Sequence, residues 1–220
     1  MSVVISLCDL TGNFVRPWVE AGYDAVLVDP QHGMDHEEHH AGRIITKLAA
    51  TVGEALPFLG EVIRTGQVAF VAGFPPCTDL AGSGARWWAT KYAADPMFQA
   101  KAVAVAEQCR TLGQLSGAPW FVENPASALS RVFGKADHTF HPCDYTALEP
   151  GDNYTKKTCL WTGGDFRMPP PQRDPSLGAP DDRIHKAPPS SARANFRSAT
   201  PMGFARAVFQ ANADRAEAVA

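Results

Sequence analysis

Two short apolar runs in this chain end in proline, and each of them ends beside a reactive side chain. Val68-Ala69-Phe70-Val71 passes straight into Gly73-Phe74-Pro75-Pro76-Cys77, and Trp120-Phe121-Val122 passes into Glu123-Asn124-Pro125. Proline cannot donate to a sheet ladder, so each run reads as a buried strand cut off at its carboxyl end. Between them Val103, Ala106, Cys109, Leu112 and Leu115 recur at helical spacing, behind an Asp95-Pro96 start and ahead of a Gly117 stop. Strand, crossover helix and strand predict two parallel neighbours, with Cys77 and Glu123 at the same edge of the sheet. In open α/β sheets that edge is where ligands bind.

The rest of the chain extends this pattern. Val3 to Leu7 reads as a strand, Asp9-Leu10-Thr11-Gly12-Asn13 as a turn, Phe14 to Ala21 as a short helix, and Ala25 to Val28 as a second strand ending at Asp29. A polar His/Glu-rich loop is expected from His32 to His40, followed by an apolar segment of no assignable period. Thr158-Cys159-Leu160-Trp161 reads as a later strand, Met168 to Pro189 as a Pro-rich surface excursion, and Pro201 onward as a final helix. The expectation is an α/β, Rossmann-like fold with a mostly parallel sheet and helices on both faces. It forms one domain over residues 1–220, with 162–197 as a Pro-rich, basic insertion.

Composition narrows the classes. A chain of 220 residues, 45% hydrophobic and 20% charged, can bury a core and is neither disordered, collagenous nor coiled coil. No apolar run approaches the roughly 18 residues a membrane helix needs, and the N-terminus lacks a signal-peptide pattern. A cytoplasmic protein with no membrane partner is expected. Five cysteines with no CxxC pair argue against a disulfide framework or a four-cysteine zinc site, so reduced thiols are the default. A formal net charge of −3 gives no global sign of nucleic-acid binding. The stretch from Arg183 to Asn212, however, holds Arg183, Lys186, Arg193, Arg197 and Arg206 and no acid. That run is either a solvated basic face or a phosphate contact.

A lone cysteine is more often a small buried hydrophobe than a nucleophile. Here a Pro-Pro turn holds the thiol at a strand end, and the small residues Ala81 to Ala85 admit a close substrate. Glu123, directly after a buried strand, must be paired or face a cleft. Together they suggest a nucleophile and a proton donor working on one flat ring. Asp29 lies near the offset of about 20 residues at which an acid meets a ribose in nucleotide-binding sheets, although one glycine at Gly12 is a weak fingerprint alone. Phe14 and Trp18 read as core. His32, His36, His39 and His40 with Glu37 and Glu38 form a rival site, since His at i, i+3 and i+4 on a helix share a face. HEEHH does not match HExxH, Gly33 and Gly42 favour a loop, and no metal is expected.

The paired blocks Phe74-Pro75-Pro76-Cys77 and Val122-Glu123-Asn124-Pro125 resemble the catalytic motifs of the DNA cytosine carbon-5 methyltransferases. Asp9-Leu10-Thr11-Gly12-Asn13 is similar to their S-adenosylmethionine loop, and Asp29 to their ribose-binding acid. Tyr154 to Trp161 is similar to their basic strand motif, and Ser198 to Ala207 to the C-terminal motif that folds back on the cofactor site. The resemblance covers most of the chain and is closest to the small, often phage-encoded branch of that family. It implies a methyltransferase fold, S-adenosyl-L-methionine as cofactor and DNA as partner. Cys77 would add to carbon 6, Glu123 would act at ring nitrogen 3, and Lys156 or Lys157 would hold the ring carbonyl or a phosphate. Asp9, Leu10, Thr11, Gly12, Asn13, Asp29, Pro30, Pro75, Thr200 and Pro201 would line the cofactor. Arg86, Trp87, Arg183, Lys186, Arg193 and Arg197 would contact DNA, with Trp88 packing about a flipped base. Thr78 stands where the family usually has Gln, Thr46 to Leu59 offers only Glu54 as the acid for the cofactor amine, and residues 162–197 leave little room for target recognition. Two alternatives stay open: a cytosine-nucleotide enzyme using the same thiol addition, and an inactive DNA-binding relative.

Overall fold

A computed structural model describes residues 2–65, 67–186 and 193–213. The chain runs β1 (Val3–Leu7), α1 (Arg16–Glu20), β2 (Asp24–Val28), β3 (His36–His40), β4 (Arg43–Leu48), α2 (Val52–Arg64) and β5 (Val68–Gly73). It continues with α3 (Trp88–Ala94), α4 (Phe98–Ser116), β6 (Trp120–Pro125), α5 (Ser130–Phe133), β7 (His138–Phe140) and β8 (Thr158–Gly163). The last elements are α6 (Arg183–Lys186), α7 (Arg193–Ser198) and α8 (Met202–Asn212).

Among the described residues the strands form one eight-stranded sheet in the order β3-β4-β2-β1-β5-β6-β8-β7. β4, β2, β1, β5 and β6 are parallel, while β3 and β8 run against their neighbours. From β1 the chain winds one way through β2 and β4, and the other way through β5 and β6. This is a doubly wound, Rossmann-like arrangement, and such a reversal opens a crevice beyond the carboxyl ends of β1 and β5. Each side of the sheet buries its own core. Phe14 and Trp18 of the α1 region and Phe204 of α8 pack with Phe70 and Phe121 on one face, and Leu59 of α2 and Leu112 of α4 pack with Val71 and Val122 on the other. No helix among the described residues is long and apolar enough to cross a membrane.

The His/Glu run is a strand, not a loop. β3 and β4 form a hairpin pairing His36 with Lys47 and His40 with Arg43, closed by Ala41 (φ 51°) and Gly42 (φ 74°). Two successive positive φ angles are what a tight hairpin of the right twist requires. The run escaped recognition because an edge strand facing water carries no apolar alternation. Side chains of a strand alternate faces, so His36 and His40 lie two pleats apart, not one helical turn. Among the described residues no group of three or more His, Cys, Asp or Glu is placed to hold a metal ion.

Two other boundaries moved. α4 begins at Phe98 because Asp95 and Pro96 form the turn before it: the Met97 amide donates to the Asp95 carboxylate at 3.0 Å. α3, unanticipated in the sequence, fills part of the loop after Cys77. Gly117 ends α4 with φ 69°, as expected.

Trp120 anchors the far end of the same sheet. Its ring lies 2.5 Å from where a Cβ on Gly113 of α4 would sit, and equally close to one on Gly163 of β8. Gly163→Ala should therefore overpack this corner and cost about 1–3 kcal/mol, read as a lowered denaturant midpoint. An unchanged midpoint would mean the indole has room to move.

Candidate functional site

The prolines that terminate β5 also build the site. β5 pairs with β6 only through Val71–Trp120, Ala72–Phe121 and Gly73–Val122. β6 then continues for three residues on β8 alone, with Glu123 opposite Leu160. The chain of Phe74-Pro75-Pro76-Cys77 peels away there, and the buried Asn124 amide catches it by donating to the Pro75 carbonyl at 3.0 Å. Cys77 and Glu123 thus stand on the two segments that part at the gap where the β5–β6 pairing ends, near enough for the carboxylate to act on the thiol.

Lys156 completes the group. Its Nζ lies 3.6 Å from Glu123 Oε1, with only 13% and 14% of the two side chains exposed. Lys157, by contrast, is exposed, so Lys156 is the lysine at the gap. The Cys77 thiol is pushed up from its ordinary range by burial first and by the Glu123 carboxylate second, while Lys156 and Arg197 pull it down. Near neutrality the free protein holds this thiol protonated. The cluster couples a nucleophile in waiting, an acid that can take up its proton, and two cations for a developing negative charge.

Arg197, in α7, stands near enough to the thiol for its charge to act there. Its Nε is buried without a hydrogen-bond partner, and Asn195 two residues earlier donates to the Gln31 side chain at 3.4 Å. α7 therefore ties the loop after β2 to the Cys77 gap. The sequence pointed Arg197 toward DNA phosphates and gave no sign that its charge would act on the Cys77 thiol. The Arg193 side chain lies outside the described residues.

Three of the other basic residues have acid partners within the chain. Arg183 is ion-paired with Asp181, its Nε donating at 2.8 Å, which holds that carboxyl down to about 2. Lys186 Nζ lies 2.8 Å from Asp182, and Arg206 Nη1 lies 2.9 Å from Glu149. Arg183 and Lys186 find their partners in the two acids that immediately precede the stretch, and Arg206 finds its partner in Glu149. Arg183 and Lys186, expected at DNA phosphates, thus each carry an exposed ion pair within the chain. Arg86 and Trp87 are exposed on the 3-10 turns before α3, the guanidinium 5.2 Å from the indole centre.

At the crevice, the Asp9 carboxylate accepts from Ser6 Oγ (2.8 Å), Thr11 N and Oγ1 (both 3.0 Å) and Gly12 N (2.8 Å). Three of these bonds fall on Oδ1 and shape the turn, while Oδ2 accepts from Ser6 alone and keeps a lone pair. Gly12 has φ 68°, with Leu27 Cδ2 3.0 Å from its missing Cβ, so both conformation and space call for glycine there. Leu10 and Thr11 flank the crevice, and Asn13 donates to the Thr200 carbonyl at 3.1 Å. That bond draws the segment entering α8, with Pro201 as its cap, back onto the turn.

Asp29 is buried at the end of β2, where one carboxylate oxygen accepts from Gln31 N at 2.8 Å. The other oxygen has no hydrogen bond among the described residues. Pro30 opens the turn that follows and leads to His32, whose Nε2 is buried and unpartnered. Burial, above all, lowers the His32 pKa and keeps the ring neutral. A spare carboxylate oxygen beside an orphaned imidazole nitrogen fits a hydroxyl-bearing ligand. His32 was missed in that role because its neighbours in sequence suggested metal. Glu54 is spent on the capping box of α2, accepting from Thr51 N at 2.9 Å and Thr51 Oγ1 at 2.7 Å. An acid does reach the carboxyl end of β4: Asp35 accepts from Ala49 N at 2.8 Å. No spacing rule pointed to it, since the hairpin that swings it there was not recognised.

No protein-family model and no curated protein matches this chain.

Proposed function

We propose that this protein transfers a methyl group from S-adenosylmethionine to carbon 5 of cytosine in DNA, through a transient bond from Cys77 to carbon 6. The observation that carries the reading is the Cys77 gap itself. A thiol at a proline-cut strand end faces a half-dry Glu123–Lys156 pair, beside the switch-point crevice of a doubly wound sheet.

The chemistry follows from what each group can do. Cytosine carbon 5 is a poor nucleophile until sulfur adds at carbon 6. As Cys77 Sγ bonds to carbon 6, its proton passes to the Glu123 carboxylate, which delivers it to ring nitrogen 3. Lys156 steadies Glu123 before and after that transfer, and Arg197 faces the negative charge that develops at sulfur. Carbon 5 is then electron-rich. S-adenosylmethionine in the crevice supplies an electrophilic methyl, and Asp29, His32 and the Asp9-shaped turn are the residues that would hold it. A solvent water takes the carbon 5 proton as the carbon 6–sulfur bond breaks, and the proton on ring nitrogen 3 returns through Glu123 to the departing sulfur, which restores the thiol. A paired base is out of reach in place, so the cytosine must leave its stack.

The test is nucleoside mass spectrometry of cytosine-containing DNA incubated with the protein and S-adenosylmethionine. The expected product is 5-methyldeoxycytidine; its absence from duplex and single-stranded DNA alike would sink the reading. For the crevice, Asp29→Ala should weaken S-adenosylmethionine roughly 10-fold or more by calorimetry, the loss of a hydrogen bond to a charged acceptor. Unaltered affinity would remove Asp29 from the site.

A further inference from the structure

The segment that follows Cys77 presents two large rings to water. Trp87 is 55% exposed and Tyr92 61% exposed. Single exposed rings are ordinary, but these two sit on one short stretch with Arg86 beside Trp87. The stretch is bolted to the thiol loop. Lys91 Nζ donates to the Thr78 carbonyl at 3.2 Å and to Asp79 Oδ1 at 2.5 Å, and Gly82 N donates to the Ala126 carbonyl at 3.2 Å, just beyond Glu123-Asn124-Pro125. Rings and nucleophile therefore keep a fixed relation.

Charge indicates what such rings receive. Duplex DNA is held mainly through phosphate neutralisation by free cations. In this chain Arg183, Lys186, Lys91 and Arg206 are bound to carboxylates, and the net charge is −3. Single strands need less charge, because each base offers a face that stacks on an aromatic ring. A single strand also spares the cost of unpairing the target base.

We infer that the DNA this protein acts on is single-stranded, with bases flanking the target cytosine stacked on Trp87 and Tyr92. The inference rests on the cytosine reading above and names the form of its substrate. Recognition then comes from base faces close to the thiol, which suits a chain with few residues for reading a groove.

The experiment measures fluorescence anisotropy of one labelled, cytosine-containing oligonucleotide, single-stranded and as its duplex, on the intact protein and on Trp87→Ala, Tyr92→Ala and Trp87→Phe. The single strand should bind at least about 10-fold more tightly than the duplex. Either alanine variant should weaken it roughly 5- to 150-fold, and Trp87→Phe should retain most of the affinity. Equal or tighter duplex binding, or alanine variants with wild-type affinity, would overturn the inference. So would a change of oligomeric state in Trp87→Ala, read by sedimentation, without a change in oligonucleotide affinity, because the rings would then serve a second copy. Mass spectrometry of the same oligonucleotides separates the two ideas. 5-Methylcytosine confined to the duplex defeats the single-strand inference and leaves the activity, whereas ring-dependent single-strand binding with no product defeats the activity and leaves the surface.

Discussion

Cys77→Ser is expected to abolish methyl transfer, with a loss of at least about 10⁴-fold in turnover, because no other group in the gap can supply the bond to carbon 6. A hydroxyl in the same place ionises too rarely to substitute for sulfur. The fold should not notice the change. The hydrogen bonds made at this residue come from Leu80 N and Ala81 N to its main-chain carbonyl, and serine keeps that carbonyl. S-adenosylmethionine affinity, measured by calorimetry, should match wild type. Turnover near the wild-type rate in Cys77→Ser would end the nucleophile assignment, whatever product was formed.

Glu123→Gln should lower turnover by about 10²- to 10⁴-fold, the range for removing a positioned acid–base group. It should also do something that a damaged fold would not. The carboxylate is the second cause, after burial, of the raised thiol pKa, and its removal leaves burial alone to oppose Lys156 and Arg197. The thiol pKa must then fall. Iodoacetamide should label Cys77 faster in Glu123→Gln than in wild type at a given pH below the wild-type midpoint. The midpoint of the labelling curve should shift toward acid. Lys156→Met should move it toward alkali. Cys77→Ser supplies the background from the other four thiols. Slower turnover together with quicker alkylation identifies Glu123 as a proton carrier; a labelling curve that stays put would separate it from the thiol.

The parts of this architecture that were legible beforehand are those set by local chemistry. Val3–Leu7 and Val68–Gly73 announce themselves as apolar runs because a parallel strand buried on both faces has no polar side. Prolines after β5, and within the last residues of β6, placed Cys77 and Glu123 at one edge. What escaped depended on partners far along the chain or just outside the window considered. Asp181 and Asp182 immediately precede the basic stretch and neutralise Arg183 and Lys186, which counting charges inside the stretch could not reveal. Arg197 acts on the Cys77 thiol from α7, a helix that also bonds Gln31 through Asn195, so partners from distant parts of the chain meet there. His36–His40 looked like loop because an edge strand in water needs no alternation, although Gly42 was the available sign of its turn. Asp9 resembled a ligand-binding acid, and nothing near it in sequence showed that three donors of its own turn and Ser6 of β1 would gather on it.

Trp120 carries a consequence for how such a chain can vary over generations. An indole pressed against both Gly113 and Gly163 makes three positions, far apart in the sequence, a single heritable unit. A side chain at either glycine is disfavoured while tryptophan stands at 120, and a smaller residue at 120 leaves an empty corner until one of the glycines grows. Homologous chains should therefore exchange these residues together or not at all, and this correlation, far from the thiol, would mark common descent independently of any shared catalytic motif.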